Sequence, residues 1–197
     1  HTVGHEDDKD KILDHFHLKK DKVTILVMGG SQGSQRINQV FAATVQRLNN
    51  SLDMQIIHLC GRRDYAMLQS FYASLNIPYA LFEFLNKMEW AYTAADVIIA
   101  RAGAATVTEL YLLEKPAILI PYPYAGGHQK YNAQVLVDLN RAKVIEEKDL
   151  NDVALEKAIV YFVQGKHSSK TAVPGTELSL YRDAAKRLAQ EMLSLIS

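Results

Sequence analysis

Two turns rich in glycine and alanine carry residues suited to holding an anion. Gly29–Ser34 (GGSQGS) follows an apolar run and precedes apolar residues at helical spacing, and Ala102–Glu109 (AGAATVTE) lies between a second apolar run and a second helical pattern. Free backbone N–H groups at a helix N-terminus attract anions, and small residues let a ligand approach the backbone. The candidate binding residues in these turns are Gly30, Ser31, Gln32, Gly103, Ala104, Ala105, Thr106, Val107 and Thr108.

The first turn has two interpretations. Its spacing is neither the G-x-G-x-x-G of dinucleotide sites nor the Gly-Lys-Ser/Thr of a P-loop, so a tight turn that binds no ligand remains an alternative. The second turn is more informative, because Glu109 follows the small residues by one to two helical turns. Its carboxylate could accept both hydroxyls of a ribose, although a solvated helix residue is the alternative. Arg101 could balance phosphate charge or form a structural ion pair.

A third candidate segment, Pro121–Asn132 (PYPYAGGHQKYN), combines prolines, glycines and tyrosines after another short apolar run. Long loops with this composition, after a strand of a parallel sheet, are usually functional. The amides of Gln129 and Asn132 can both donate and accept hydrogen bonds, which suits sugar hydroxyls. His128 could also bind a sugar or act as a general base, but the sequence places no carboxylate to orient it.

The elements that must position these residues alternate between strand and helix. Short β-branched or apolar runs predict six strands, and helical spacing predicts helices between them and after the last one. This alternation indicates an α/β fold with a doubly wound, Rossmann-like parallel sheet. In such a sheet the strand-to-helix turns share the carboxyl edge, where ligands bind. The predicted strands are 23–28, 55–60, 79–84, 96–100, 117–120 and 142–145, and a final helix is predicted over 178–196.

Composition excludes several classes of protein. The 197 residues carry 22 basic and 22 acidic side chains, so there is no basic footprint for nucleic acid. No apolar run approaches the roughly 20 residues that span a bilayer. Cys60 is the only cysteine and is expected to be a buried thiol, and no metal site is predicted.

We assign residues 1–20 to a tail or linker remnant, with solvated His1, His5, His15 and His17, and residues 21–197 to one domain.

Three motifs in matching order resemble the C-terminal half of the MurG family of glycosyltransferase family 28. They are GGSQGS after the first strand, RAGAATVTE after the fourth, and PYPYAGGHQKYNA after the fifth. The resemblance runs from about Val23 to Asp149. It implies one half of a GT-B glycosyltransferase, a bacterial enzyme that moves N-acetylglucosamine (GlcNAc) from UDP-GlcNAc to a lipid-linked N-acetylmuramoyl-pentapeptide (lipid I to lipid II) in peptidoglycan synthesis.

The family's site residues carry over where the motifs match. The resemblance implies that Ser31 contacts the donor, that Ala104–Thr108 hold its diphosphate, and that Glu109 binds the ribose. It implies further that the backbone of Leu85, in Glu83-Phe84-Leu85, reads the uracil, and that Gln129 orients the sugar, with His128 beside it. The family uses no cofactor, and UDP-GlcNAc is a substrate.

The resemblance also implies what lies elsewhere. The catalytic base, the lipid-acceptor site and a membrane-facing patch belong to the family's N-terminal domain, which these motifs do not match. We therefore expect the isolated chain to bind donor without transferase activity, and the full-length protein to associate peripherally with the inner face of the cell membrane. Two alternatives remain: a soluble subunit of a two-chain lipid-linked GlcNAc transferase, and a non-catalytic nucleotide-binding module.

Overall fold

A computed structural model describes residues 6–30 and 33–165 of the chain. Six parallel strands form one sheet in the order β3-β2-β1-β4-β5-β6, which is the Rossmann order. The predicted doubly wound sheet is therefore confirmed. The strands are β1 (Val23–Met28), β2 (Met54–Leu59), β3 (Tyr79–Phe82), β4 (Val97–Ala100), β5 (Ala117–Leu119) and β6 (Ala142–Val144); the helices are α1 (Glu6–His15), α2 (Gln35–Leu48), α3 (Tyr65–Ala73), α4 (Met88–Ala94), α5 (Ala104–Leu112), α6 (His128–Asp138) and α7 (Asp152–Val163).

The central strands are buried on both faces. Ile25 and Val27 of β1 point into one apolar cluster, which α2, α3 and α7 complete, whereas Leu26 and Met28 point into a second cluster beneath α1, α4, α5 and α6. This arrangement explains why β1 is a continuous apolar run without alternation. The predicted final helix over 178–196 lies outside the described residues.

The assignment of residues 1–20 to a tail or linker is wrong for the part that the structure describes. Helix α1 covers the cluster beneath α4, and Leu13, Phe16 and Leu18 are nearly fully buried there. The rings of Phe16 and Phe82 meet edge to face, and the Lys9 ammonium donates to Asp96 at 2.6 Å. His15 and His17 are exposed, whereas His1 and His5 lie outside the described residues.

A buried polar network joins β2 to α2 and α3. The Asn38 amide donates to the Cys60 carbonyl oxygen at 2.9 Å and to the Asp64 carboxylate at 2.7 Å, so its oxygen faces His58 Nε2 at 3.0 Å. His58 Nε2 must then carry the proton, and Nδ1 accepts from the Tyr72 hydroxyl at 2.8 Å. Burial lowers the pKa of His58 to about 3, so this imidazole is neutral.

Two residues beside this network, Asp64 and Cys60, have side chains fixed by the fold. The Asp64 side chain precedes α3 and makes no capping hydrogen bond to that helix, because its carboxylate bonds to Asn38 instead. Cys60 is buried as predicted, and burial raises the pKa of its thiol to about 11. The thiol is therefore protonated and structural.

Candidate functional site

The candidate site lies where the direction of the strand order reverses, between β1 and β4. These strands pair in parallel, with Met28 opposite Ala100, so the turns that follow them lie side by side at the carboxyl edge of the sheet. Open α/β sheets bind ligands in the crevice at this switch point. The structure thus brings the predicted Gly30 and Gly103 turns to one place. Ser31 and Gln32, also predicted here, lie outside the described residues.

The glycines of the first turn are required by the fold itself. Gly33 has a φ of +76°, and a Cβ there would lie 2.1 Å from the Cys60 carbonyl oxygen. A Cβ on Gly29 would lie 2.2 Å from the Ser34 backbone nitrogen, and Gly30 has a φ of +93°. A tight turn therefore accounts for these glycines without a ligand.

Gly103 is different, because nothing in the fold requires a glycine there. Its φ of −63° and ψ of 150° suit any residue, and a Cβ would meet no atom within 4 Å. It is the N-cap of α5, so the missing side chain leaves open space in front of the first turn of that helix. An anion could approach the free N–H groups there directly.

The predicted diphosphate-binding residues at the start of α5 differ in their exposure. Ala104 and Ala105 are exposed, and Thr106 and Thr108 are half-buried. Val107 differs from the prediction: its N–H donates to the Gly103 carbonyl oxygen at 2.9 Å, and its side chain is 6% exposed within the apolar cluster. Val107 is thus a packing residue, and the unpaired N–H groups belong to the residues before it.

Glu109 lies one helical turn beyond Ala105, on the same side of α5. It is exposed, yet its carboxylate is held in place, because Oε2 accepts from the Tyr92 hydroxyl at 2.6 Å. Burial raises the pKa of Tyr92, and the neighbouring carboxylate raises it further, so the phenol remains a proton donor. Glu109 therefore presents an oriented carboxylate one helical turn beyond Ala105.

Arg101 forms the structural ion pair that the sequence leaves as one of two possibilities. Its guanidinium pairs with the Glu147 carboxylate, donates to Ser34 Oγ at 2.9 Å, and donates to the Ile120 carbonyl oxygen at 3.2 Å. The side chain is only 12% exposed. Arg101 thus ties together three loops at the carboxyl edge through both terminal nitrogens of its guanidinium.

The loop after β5 holds Gln129, Asn132 and His128 at the start of α6. The Gln129 side-chain oxygen accepts from the Tyr122 N–H at 2.9 Å, which leaves its NH₂ group to donate to a ligand. The Asn132 amide donates to the Ala102 carbonyl oxygen at 3.1 Å and so joins α6 to the turn before α5. His128 is exposed.

Leu85 follows β3 and is partly buried against the cluster beneath α4. Its neighbour Phe84 is 63% exposed. This segment lies two strands away from β1, at the same carboxyl edge. The placement is compatible with a contact to one end of an extended nucleotide.

Tyr92 and Ser34 contact the site residues, but the sequence does not predict either of them as a site residue. Tyr92 is separated from Glu109 by 17 residues and appears in the sequence only as an apolar position of α4. Ser34 caps α2 and accepts from Arg101 across 67 residues. The Ser34 position before a helical pattern is a recognisable cap signal, whereas no local signal identifies Tyr92.

Residues 6–30 and 33–165 contain neither a metal-binding cluster nor a membrane-spanning helix. No group of three or more His, Cys, Asp or Glu side chains there is placed to hold a metal ion. Within the same residues, no helix has the length and apolar character needed to cross a membrane.

Comparisons with known proteins agree on one family. The model of the glycosyltransferase family 28 C-terminal domain matches residues 24–188. A UDP-N-acetylglucosamine–N-acetylmuramyl-(pentapeptide) pyrophosphoryl-undecaprenol N-acetylglucosamine transferase from Halothermothrix orenii is 42% identical over 163 residues, which cover 79% of this chain and 44% of the relative. A protein of the same name from Desulforamulus reducens is 36% identical over 177 residues, covering 84% of this chain and 46% of the relative.

A solved structure gives the same result. The crystal structure of MurG from Acinetobacter baumannii superposes with a TM-score of 0.69 at 28% sequence identity. The match covers 80% of this chain and 46% of that chain. The chain therefore spans less than half the length of these relatives.

Proposed function

The chain belongs to the glycosyltransferase family 28 C-terminal domain family, and we propose that it is the donor-binding half of an inverting GT-B N-acetylglucosaminyltransferase. The family resemblance read from the three motifs is thereby confirmed. The proposed reaction transfers GlcNAc from UDP-GlcNAc to a lipid-linked MurNAc-pentapeptide, lipid I to lipid II, in peptidoglycan synthesis. The relatives named for this transferase support the choice of donor and acceptor.

The observation that carries the proposal is the position of the Glu109 carboxylate relative to the start of α5. Helix geometry places Glu109 about 6 Å along the axis from Ala105, and side chains on a helix lean toward its N-terminus. A diphosphate at the Gly103–Thr106 turn would therefore have its ribose beside Glu109. As the bond to the sugar breaks, the N–H groups and helix dipole would stabilise the charge that grows on UDP.

The remaining contacts follow from the free groups of the site. The Gln129 NH₂ group would donate to a hydroxyl of the donor sugar, because its oxygen is already bonded to Tyr122. The backbone of Leu85 would read the uracil. The anion site consists of N–H groups, so the proposal assigns no metal or cofactor to donor binding.

We propose that the base that deprotonates the acceptor hydroxyl lies in the additional length of the relatives. The matched 163 residues make up 44% of the Halothermothrix orenii protein, so that additional length is larger than the matched segment. His128 is exposed at the N-terminus of α6, and no carboxylate contacts it within the described ranges, so we assign it no catalytic role. The lipid acceptor and a peripheral position on the inner membrane face belong to this proposal for the whole enzyme.

Isothermal titration calorimetry of the chain with UDP tests the donor site. We expect binding at millimolar UDP or tighter, and a loss of about tenfold or more in the Glu109→Ala protein, because hydrogen bonds from ribose hydroxyls to a charged acceptor are lost. Glu89→Ala, another exposed glutamate on the neighbouring helix α4, is the matched control and should bind UDP normally. Absence of binding heat, or equal affinities of the wild-type and Glu109→Ala proteins, would contradict the proposal.

A further inference from the structure

Tyr92 is a buried aromatic residue whose hydroxyl reaches the edge of the candidate site. The residue is 3% exposed and packs in the apolar cluster beneath α4 and α5. Its hydroxyl donates to Glu109 Oε2 at 2.6 Å and lies 3.7 Å from the Met28 sulfur at the end of β1. The ring is thus fixed by packing, and its one polar atom is directed at the carboxylate.

This contact changes what Glu109 can offer to a ligand. An exposed glutamate on a helix samples several rotamers, and ordering such a side chain on binding weakens affinity by roughly two- to tenfold. The hydrogen bond from Tyr92 orders Glu109 before any ligand arrives. A carboxylate has about four acceptor positions on its two oxygens, so Oε1 and the second lone pair of Oε2 remain available.

Apolar packing alone does not explain the hydrogen bond between the Tyr92 hydroxyl and Glu109. Water could solvate an exposed carboxylate at little cost, and a phenylalanine would fill the same apolar cluster. The tyrosine instead holds a charged group at the switch-point crevice, one turn beyond Ala105 and nearly two turns beyond the open space at Gly103. Pre-ordering of a binding group accounts for both the choice of tyrosine and the geometry.

We propose that Tyr92 is a positioning residue for ribose recognition, which holds the Glu109 carboxylate in the orientation that accepts the two ribose hydroxyls of the donor nucleotide. The inference rests on the proposed donor site and adds a residue to it. Tyr92 itself does not touch the ligand. Its removal should therefore affect only those ligands that use Glu109.

The test compares two nucleotides on the same protein samples by calorimetry. UDP has both ribose hydroxyls, and 2′,3′-dideoxyuridine diphosphate has neither. We expect the wild-type chain to prefer UDP, and Tyr92→Phe to lose roughly two- to tenfold in UDP affinity with no change for the dideoxy compound. Glu109→Ala should abolish the preference. Tyr161→Phe, which removes a hydroxyl from α7 in the other layer of the fold, should keep the wild-type preference.

The possible outcomes distinguish a failure of the Tyr92 role from a failure of the proposed donor site. If Tyr92→Phe keeps the wild-type preference for UDP, or weakens both nucleotides equally, Tyr92 is only a packing residue and the inference fails. If Glu109→Ala keeps the preference, Glu109 is not the ribose ligand, and the inference fails while UDP binding stands. If the wild-type chain binds neither nucleotide, the donor site fails and the inference with it. The preference is a ratio measured on one sample, so a partly unfolded variant does not obscure it.

Discussion

Acidification should destabilise this protein through one buried imidazole. His58 is fully buried, and its two ring nitrogens are occupied by Asn38 and Tyr72. A second ring proton on Nδ1 would meet a hydroxyl that now donates to it, and burial opposes the charge. The pKa of His58 is accordingly lowered to about 3 in the folded chain, whereas an unfolded histidine titrates near 6.5.

The direction and size of the effect follow from linkage. Below pH 6.5 the unfolded chain binds a proton at His58 that the folded chain does not, so stability falls as the pH falls from 6.5 toward 3. Above pH 6.5 the neutral imidazole carries no such penalty. At pH 5.0, about 1.5 units below the unfolded pKa, His58 should cost about 2 kcal/mol of the free energy of unfolding relative to pH 7.5.

Urea unfolding followed by circular dichroism at pH 7.5 and pH 5.0 measures this cost. His58→Gln has no titrating group, and its amide can still donate to Asn38 and accept from Tyr72. The drop in unfolding free energy between the two pH values should be smaller in His58→Gln than in the wild type by about 2 kcal/mol. His17→Asn, at an exposed position, should keep the wild-type drop. Equal drops in the wild-type and His58→Gln proteins would refute the assignment of a neutral, acid-sensitive His58.

Two further substitutions separate stability from ligand binding. Gly103→Ala should leave the free energy of unfolding within about 1 kcal/mol of the wild type, because Gly103 has a φ of −63° and open space around its Cα. The same substitution should reduce the increase in melting temperature that UDP gives. An undiminished increase would contradict the role of that space. Arg101→Met should lower the free energy of unfolding in urea by about 2–3 kcal/mol, because Glu147 and Ser34 lose a partly buried partner. Adding Glu147→Gln should recover part of that loss, and no recovery would mean that the ion pair is not its source.

The sequence was sufficient where a local pattern determines the structure. The apolar runs locate all six described strands within two residues at each end, and β1 is predicted with the observed bounds. The sequence does not predict helix α1, because its segment is mostly charged and no local pattern shows that Leu13 and Phe16 pack in the same apolar cluster as α4. The sequence does not decide the role of Arg101 for a similar reason. Its partners Ser34 and Glu147 are brought close by the order of the strands, which local patterns do not specify.

The order of the strands determines which turns are neighbours at the candidate site. In the sheet, β4 lies between β1 and β5, and the reversal of the strand order falls between β1 and β4. The Gly103 turn therefore lies beside the turn after β1, and Arg101 contacts both Ser34 after β1 and Ile120 after β5.

This placement explains how the residues of one motif divide their roles. In RAGAATVTE, Arg101 forms an ion pair with Glu147, and Val107 packs in the apolar cluster. Gly103 and the first turn of α5 keep open space and free N–H groups, and Glu109 keeps a carboxylate oriented by Tyr92. The groups left for a ligand are thus backbone donors followed, one turn later, by an acceptor. A diphosphate attached to a ribose matches that order of donors and acceptor, whereas a bare inorganic anion would leave Glu109 unused.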